Sequence, residues 1–170
     1  PLTKLGNRRA FDTELPRRQA ELNRHARPVS IIMLDVDRFK DFNDAHGHTA
    51  GDNVLRGVAR VLRRQLREMD IPCRYGGEEF ALLLPHTKEA DALALAERLR
   101  RTVAETRVQD ANGAWLPKVT LSVGVSAGRG QDLATLISDA DAALYRAKEQ
   151  GRNQVECVEV CEDPQSRACS

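Results

Sequence analysis

The sequence lacks a net excess of charge, a long apolar run and paired cysteines. Its 170 residues include 26 Lys and Arg against 25 Asp and Glu, and this balance argues against the broad basic surface of a domain that binds nucleic acid. No apolar stretch reaches the roughly 18 residues of a membrane span, and no charged-then-apolar leader opens the chain. We therefore expect no nucleic acid partner and no membrane contact by this domain itself, and any anion site must be local.

Cysteine spacing argues against a disulfide framework and against a metal site. The four cysteines show no paired CxxC spacing. Cys73 lies in an expected buried strand, whereas Cys157, Cys161 and Cys169 fall near the acidic C-terminal end. Free thiols in a reducing compartment are the expectation, and this predicts a cytoplasmic domain.

Apolar periodicity predicts one α/β (α+β) domain whose elements follow the order α-β-α-α-β-β-α-β-α-β. Residues 29–35 are β-branched and almost wholly apolar, which is typical of a central strand covered on both faces. Pro16 falls inside the first helical pattern and predicts a break or kink near Leu15. The predicted helices cover 7–25, 38–45, 50–67, 89–106 and 132–150, the predicted strands cover 29–35, 71–75, 79–84, 119–126 and 155–160, and 159–170 form a mobile tail.

Residues 74–80, Arg-Tyr-Gly-Gly-Glu-Glu-Phe, are the most informative stretch, because two glycines precede two carboxylates and an apolar run. Gly76 and Gly77 stand between two strand-like segments and predict a two-residue hairpin turn that needs positive φ. Two positions without a Cβ would let a bulky anion approach the backbone, with Glu78 at the rim. The alternative is an ordinary exposed hairpin with solvated glutamates.

Asp35 and Glu78 predict a cation site. Asp35 ends the predicted central strand and Glu78 begins the hairpin, so pairing of these strands would bring two carboxylates together. At about 4 Å and an effective dielectric near 20 they would repel by roughly 4 kcal/mol, enough to raise one pKa or to recruit a cation. An all-oxygen site, completed by the Val36 carbonyl, favours magnesium over zinc, and magnesium favours phosphate chemistry. The alternative is that Asp35 caps the following helix.

Two further clusters suit a nucleotide. Lys40 and Asn43 share a helix face at i,i+3, close to Asp52 at the start of the next helix. Lysine offers a point charge for phosphate, and the carboxylate and amide together can read the hydrogen-bonding edge of guanine. Lys148 and Arg152 form a cationic helix end. Ordinary surface polarity remains an alternative for the first cluster, and complementarity to the helix dipole for the second.

These motifs at these spacings resemble the GGDEF family of diguanylate cyclases, with residues 76–80 as the defining motif in its glutamate form. The resemblance covers about residues 1–158 as one catalytic domain, and it implies a palm-like, mostly antiparallel sheet of about five strands flanked by helices. Lys4 departs from the family, which usually has glycine there. The other matching segments are 2–9, 35–40, 43–44, 47–48, 51–52, 119–126 and 145–153.

The resemblance implies the condensation of two GTP molecules into cyclic di-GMP with release of two pyrophosphates. At the matching positions, Asp35, the Val36 carbonyl and Glu78 would hold two Mg²⁺ ions, with Mn²⁺ as an alternative, and Glu78 would assist deprotonation of the 3′-hydroxyl. Asn43 and Asp52 would recognise guanine. The remaining implied catalytic and substrate-binding positions are Lys40, Lys148, Arg152, the Phe39 amide, His48, Gly76 and Gly77.

The family chemistry needs a second copy of the domain, because one domain holds one GTP. We expect a weak homodimer of catalytic domains. The chain begins abruptly at Pro1, so we also expect an upstream sensory or dimerising segment, missing here, which would raise the encounter rate and which can anchor the whole protein to a membrane.

Residues 67–70, Arg-Glu-Met-Asp, match the RxxD motif of the family's inhibitory product site, with Arg98 as a secondary contact. Arginine can fork onto guanine O6 and N7 while the aspartate accepts from the Watson–Crick edge. A salt-bridged helix end is the alternative.

Two rival functions remain open at this point. A catalytically degenerate GGDEF module would bind GTP or cyclic di-GMP as a signal, and the intact set of site residues argues against it. An enzyme that makes a mixed cyclic dinucleotide is the other rival, and Asp52 argues for guanine instead.

Overall fold

The computed structural model describes residues 2–158, which form a six-stranded sheet with helices packed on both faces. Pro1 and residues 159–170 lie outside the described residues, and so do the predicted tail, the end of the last predicted strand, Cys161 and Cys169. The elements are β1 (Gly6–Asn7), α1 (Arg8–His25), β2 (Pro28–Val36), α2 (Phe39–His46), α3 (His48–Gln65), β3 (Ile71–Arg74), β4 (Glu79–Pro85), α4 (Glu89–Glu105), β5 (Leu121–Arg129), α5 (Leu133–Glu149) and β6 (Val155–Cys157).

The sheet has the strand order β1-β3-β4-β2-β5-β6, with β2 near its centre. The β2–β4, β2–β5 and β3–β4 pairs are antiparallel, and only the outer β1–β3 and β5–β6 pairs are parallel. The prediction of a mostly antiparallel sheet with flanking helices is confirmed. The additional strand, β1, has only two residues. A segment this short shows no periodicity from which a strand could be predicted.

The two faces of β2 bury side chains under different helices. Ile32 and Leu34 pack with residues of α2, α3 and α4, whereas Ile31 and Met33 pack with residues of α1 and α5. Because side chains alternate along a strand, Asp35 lies on the second face, towards α5. No helix among residues 2–158 combines the length and the apolar character needed to cross a membrane.

Gly124 of β5 allows α5 to lie very close to the sheet. A Cβ at this position would stand 2.1 Å from the Ala140 carbonyl oxygen and 2.3 Å from the Leu144 nitrogen. Both are backbone atoms of α5, so the helix as a whole would have to move to admit any side chain. The close approach brings the last turn of α5, with Lys148, against the end of β2.

The predicted break at Pro16 is wrong, because α1 runs without interruption from Arg8 to His25. Pro16 is exposed, so its ring faces solvent, and it removes a single backbone donor from the helix. Phe11 before it and Leu22 after it are both buried in the same cluster. Packing on both sides of the proline therefore outweighs the local tendency to end the helix.

Candidate active site

A cleft opens beyond the end of β2, where the chain enters α2 and approaches the 75–78 loop and the end of α5. Its open volume is about 230 Å³. It gathers residues that are far apart in the sequence. The lining contains Asp35, Val36, Asp37, Arg38, Phe39, Lys40, Asp41, Glu78, Lys148 and Arg152.

Asp35 and Glu78 lie at adjacent strand ends of this cleft. The Val36 amide donates to the Glu78 carbonyl at 3.1 Å, and Asp35 pairs in register with Glu79. Burial raises the pKa of the Asp35 carboxyl, and the negative charge of Glu78 adds to this rise. Within residues 2–158 the Glu78 side chain makes no hydrogen bond or ion pair, so its carboxylate is available to a ligand.

Asp35 is a buried carboxylate that is paired with Lys148. Its exposed fraction is 7%, and the Lys148 Nζ donates to its Oδ2 at 2.7 Å. Desolvation raises the pKa of Asp35 to about 6, although the hydrogen bond and the charge of Lys148 oppose this rise. The alternative in which Asp35 caps α2 is wrong, since the N-cap is Arg38 and no side chain caps that helix.

The donor set fits a hard divalent cation. The carboxylates of Asp35 and Glu78 and the carbonyl of Val36 offer oxygen only, which suits Mg²⁺. No group of three or more His, Cys, Asp and Glu side chains is arranged to hold a metal in the part of the chain that the structure describes. Mg²⁺ is usually held by one or two carboxylates together with water and substrate phosphates. The Lys148 ammonium already shows that positive charge is accommodated at Asp35.

The N-terminus of α2 faces the same cleft. Its N-cap, Arg38, adopts a left-handed conformation with φ of 53°, and its first residues, Phe39, Lys40 and Asp41, line the cleft. The first amides of a helix have no partner within the helix, and the helix dipole favours an anion there. A phosphate is the natural ligand of such an end. Lys40 is exposed and forms no ion pair with residues 2–158.

The chain reverses direction after α5 and thereby places Arg152 at the cleft. Gly151, Arg152 and Asn153 all have positive φ, at 116°, 64° and 46°. The Arg152 amide donates to the Ala147 carbonyl at 2.9 Å, and its exposed side chain has no ion pair among the described residues. Lys148 lies in the last turn of α5, where the helix dipole favours a cation. Its charge therefore also complements the helix dipole, as the alternative from the sequence proposed.

Asn43 and Asp52 lie on neighbouring helices outside the lining of the cleft. The Asn43 Oδ1 is buried without a hydrogen-bond partner in the described chain, and a Cβ at Gly51 would stand 1.8 Å from it. Asp52 is half-buried and makes no hydrogen bond or ion pair with residues 2–158. His48 is exposed at the start of α3. The pair of unpartnered polar groups on α2 and α3 suits a ligand with both donors and acceptors.

The turn between β3 and β4 is longer than predicted. Neither Gly76 nor Gly77 has positive φ, so the prediction of a two-residue hairpin turn is wrong. The amides of Tyr75 and Gly76 both donate to the Glu79 carbonyl, at 2.8 and 3.2 Å, and four residues separate the strands. A Cβ at Gly77 would meet nothing within 4 Å, so backbone at this position is open to an approaching ligand.

The RxxD segment forms a second pocket of about 290 Å³, which Arg98 also lines. Arg67 Nη2 lies 3.0 Å from Asp70 Oδ1, and it also donates to the Pro85 carbonyl at 2.9 Å and to the Thr87 hydroxyl at 2.6 Å. The Asp70 side chain is 2% exposed, whereas that of Arg67 is 51% exposed. The salt-bridged arrangement is therefore present, and it forms one wall of a pocket.

Asp37 is a site residue that the sequence reasoning missed. It is buried at the cleft, with an exposed fraction of 8%. Its carboxylate accepts hydrogen bonds from the Ser122 hydroxyl at 2.5 Å, the Thr120 hydroxyl at 2.7 Å and the backbone amide of Asn153 at 3.0 Å. The alternation in Asp35-Val-Asp37, which places both carboxylates on one face, was the available signal.

Comparison with known proteins identifies the class to which this fold and cleft belong. The sequence profile described as "GGDEF: Diguanylate cyclase, GGDEF domain" matches residues 1–154. The chain belongs to the GGDEF family of diguanylate cyclase domains.

Curated relatives are much longer than this chain. Response regulator PleD of Caulobacter vibrioides is 44% identical over 156 residues, and Diguanylate cyclase DosC of Escherichia coli K12 is 43% identical over 156 residues. Each match covers 91% of this chain and 34% of the relative. The chain thus spans about one third of the length of these proteins.

Solved structures share the fold. The coiled coil and GGDEF domain of DgcB from Caulobacter crescentus, in complex with c-di-GMP, superposes with a TM-score of 0.87 at 36% identity, covering 92% of this chain and 83% of that one. The active GGEEF domain of a diguanylate cyclase from Vibrio cholerae has a TM-score of 0.82 at 34% identity, covering 91% and 97%. The palm-like fold class is confirmed.

Proposed function

We propose that this domain is a Mg²⁺-dependent diguanylate cyclase that joins two GTP molecules into cyclic di-GMP and releases two pyrophosphates. The cleft carries the proposal, because the carboxylates of Asp35 and Glu78 line it together with the cations Lys40, Lys148 and Arg152 at the start of α2. Carboxylates for a cation beside groups for phosphate suit phosphoryl transfer. Relatives named as diguanylate cyclases support the proposal, including one with the same Gly-Gly-Glu-Glu-Phe signature.

The acidic side of the cleft would hold the cation and receive the proton. Asp35, the Val36 carbonyl and Glu78 are the proposed Mg²⁺ ligands, and Mn²⁺ suits the same donors. A Mg²⁺ ion held there would supply positive charge to the triphosphate and so favour the release of pyrophosphate. The free Glu78 carboxylate is the proposed acceptor of the proton from the attacking 3′-hydroxyl.

The basic side of the cleft would orient the triphosphate. Lys40, Arg152 and the first residues of α2 line the cleft, and the two side chains and the first helix amides would bind phosphate oxygens. Lys148 would compete with a bound cation for Asp35, so we propose that it turns from Asp35 to a phosphate once the carboxylate has another partner. This exchange would let Lys148 neutralise Asp35 in the absence of a cation and bind phosphate when a cation and GTP are present.

Asn43 and Asp52 would select guanine. The Asp52 carboxylate can accept from the N1 and N2 protons of guanine, and the Asn43 amide can bond to its O6 edge. Adenine has no proton on N1, so it leaves the carboxylate unpaired. We therefore propose GTP as the substrate at both positions of the product, and no mixed cyclic dinucleotide.

The proposed reaction needs two domains that face each other, and this gives a kinetic test. With the 170-residue chain freed of bound inhibitor, initial velocity should rise about as the square of protein concentration while the dimer is scarce. The assay contains GTP, ATP and Mg²⁺, and mass spectrometry should identify cyclic di-GMP. Strict proportionality over a hundredfold range without a stable dimer would contradict the two-domain arrangement. GTP binding without any product at high protein concentration would instead favour the degenerate signalling module.

We further propose that the Arg67–Asp70 pocket binds the product as an inhibitor, with Arg98 as a secondary contact. Arg67→Ala should raise the cyclic di-GMP concentration for half-inhibition by about 5- to 150-fold, because a guanine-binding fork is worth about 1–3 kcal/mol. Velocity without product should stay within about twofold. The measurement is an inhibition curve with added cyclic di-GMP.

Arg67→Lys is the matched control for this pocket. It keeps a positive charge next to buried Asp70 but loses the bidentate geometry. The backbone amide of Arg67 also donates to Asp70 at 2.8 Å. Neither substitution removes this amide, so Asp70 should keep a partner. We expect a stable protein with weakened inhibition. Undiminished inhibition in both variants would reject the assignment.

A further inference from the structure

We propose that Asp37 is a positioning residue that fixes the turn carrying Arg152 and thereby sets the place of the phosphate-binding guanidinium relative to Asp35. The proposal rests on the proposed cyclase function for its catalytic consequence, but its structural part can be tested without it. Asp37 follows Asp35 by two residues and lines the same cleft. Its position alone would make it a candidate third metal ligand.

The hydrogen bonds of Asp37 argue against that metal role. Its Oδ1 accepts from the Ser122 hydroxyl, and its Oδ2 accepts from both the Thr120 hydroxyl and the Asn153 amide. A carboxylate has about four acceptor sites, so three of them are already used by the protein. Glu78, in contrast, has none of its side-chain sites used by residues 2–158. The Asp37 carboxylate is therefore engaged mainly with the protein, whereas the Glu78 carboxylate remains available to a ligand.

The turn that Asp37 contacts needs external support. Arg152 and Asn153 are consecutive non-glycine residues with φ of 64° and 46°. This left-handed region is unfavourable for Arg152, although asparagine adopts it more readily. The Arg152 amide is held by the Ala147 carbonyl, and the Asn153 side chain accepts from Arg100 at 2.8 Å. Both contacts come from helices.

The bond from the Asn153 amide to Asp37 connects this turn to the segment that carries Asp35. Among the described residues, no other hydrogen bond of residues 151–153 reaches that segment. Asp37 is also held through its backbone, because its own amide donates to the Thr120 carbonyl at 2.9 Å. One side chain thus joins the end of β2, the start of β5 and the turn after α5. It sets the spacing between the cation side and the phosphate side of the cleft.

Asp37→Ala and Asp37→Asn separate positioning from metal binding. An asparagine oxygen can accept from the Asn153 amide, and its NH₂ can donate to the Ser122 hydroxyl, which can rotate to accept. Asp37→Asn should therefore keep the turn, whereas Asp37→Ala should release it. Asp37→Ser, whose hydroxyl is too short to span the same gap, replaces the alanine variant if that protein does not fold.

The structural readout is amide hydrogen exchange at residue 153 in the 170-residue chain. Exchange should be at least about tenfold faster in Asp37→Ala and within about threefold of the parent in Asp37→Asn. Affinity for Mn²⁺ alone, measured by electron paramagnetic resonance, should change less than about threefold in both variants. Unchanged exchange in Asp37→Ala would overturn the positioning role, and loss of Mn²⁺ binding in Asp37→Asn would show a metal ligand instead.

The kinetic readout is a double-mutant cycle with Arg152→Ala. We expect kcat/KM for GTP to fall at least about thirtyfold in Asp37→Ala and to recover within about threefold in Asp37→Asn. Arg152→Ala should add little to the loss in Asp37→Ala, because both changes remove the same contact. Fully multiplicative losses would contradict the proposal. If the parent forms no cyclic di-GMP while residue 153 behaves as expected, the proposed function fails and the positioning role of Asp37 stands.

Discussion

Glu78→Gln should lower turnover by at least about 10³-fold and leave the fold intact. The amide has nearly the same shape as the carboxylate, but it has no negative charge for a cation and cannot accept the 3′-hydroxyl proton, and loss of a general base alone costs about 10²–10⁴-fold. The Glu78 side chain makes no hydrogen bond or ion pair with residues 2–158, and its carbonyl keeps the bond from Val36. Cyclic di-GMP formation at saturating GTP measures the loss, and the melting temperature should change by less than about 2 °C.

Glu79→Gln is the matched control for this experiment. Glu79 is the next residue and carries the same charge, but it does not line the cleft, and its carboxylate lies near Gly76. We expect an activity loss below about tenfold, through the weaker field at Asp35. Glu78→Gln activity within tenfold of the parent, or equal losses in both variants, would show that the central carboxylate is misassigned.

Asp35→Asn should abolish turnover to a similar degree and should make the cation-free protein more stable at pH 7.5. The folded-state pKa of Asp35 is about 6, above its ordinary value of 3.8, so the fold favours the protonated form. The stability contributed by this group is complete below about pH 4 and is lost as pH rises through 6. At pH 7.5 the parent therefore carries a cost of about 3 kcal/mol, since one pKa unit corresponds to about 1.4 kcal/mol.

Asparagine removes this cost, because it carries no charge to desolvate. It also removes the partner of Lys148, whose side chain is 33% exposed and can extend into water. We expect a net gain of about 1–3 kcal/mol, or about 2–10 °C in melting temperature for a domain of this size. Thermal unfolding in EDTA at pH 7.5 and pH 4 measures it, and the gain should vanish at pH 4.

Two further measurements complete this test. Lys148→Met should destabilise the protein at pH 7.5, because it leaves the buried Asp35 carboxylate without its partner. Added Mg²⁺ or Mn²⁺ should stabilise the parent through mass action and should have little effect on Asp35→Asn. If Asp35→Asn melts below the parent at pH 7.5, the ion pair outweighs the cost of burying the carboxylate, and the interpretation of Asp35 as a carboxylate held for a cation loses its support.

The elements of this fold could be predicted because their signals are local. Apolar spacing along residues 54–62 or 121–125 reports helix or strand whatever lies elsewhere in the chain. The two local errors have different causes. Pro16 predicts a break, but tertiary packing of Phe11 and Leu22 in one buried cluster holds α1 together. Gly76-Gly77 predicts a tight turn, but a longer turn forms in which the Glu79 carbonyl accepts from two nearby backbone amides, and this contact is itself local.

The candidate site also has a part that the sequence could predict and a part that it could not. The sequence showed Asp35 at a strand end and Glu78 next to two glycines, so both carboxylates could be named before the fold was seen. It could not show that the Asp37 carboxylate would accept three hydrogen bonds, because its partners are 83 to 116 residues away. The pairing of Asp35 with Lys148, 113 residues apart, was equally hidden. Local spacing contains no information about such distant contacts.

The sequence by itself determined the order of the elements, the chemical types at the ends of β2 and β4, and the family to which the chain belongs. Only the tertiary structure decided which charges meet. Glycine at position 124 lets α5 sit directly on the sheet, so Lys148 reaches Asp35 while Asp37 is left to hold the turn of Arg152. The physical reason is that burial and pairing depend on the separation of whole elements, which packing sets and local sequence does not.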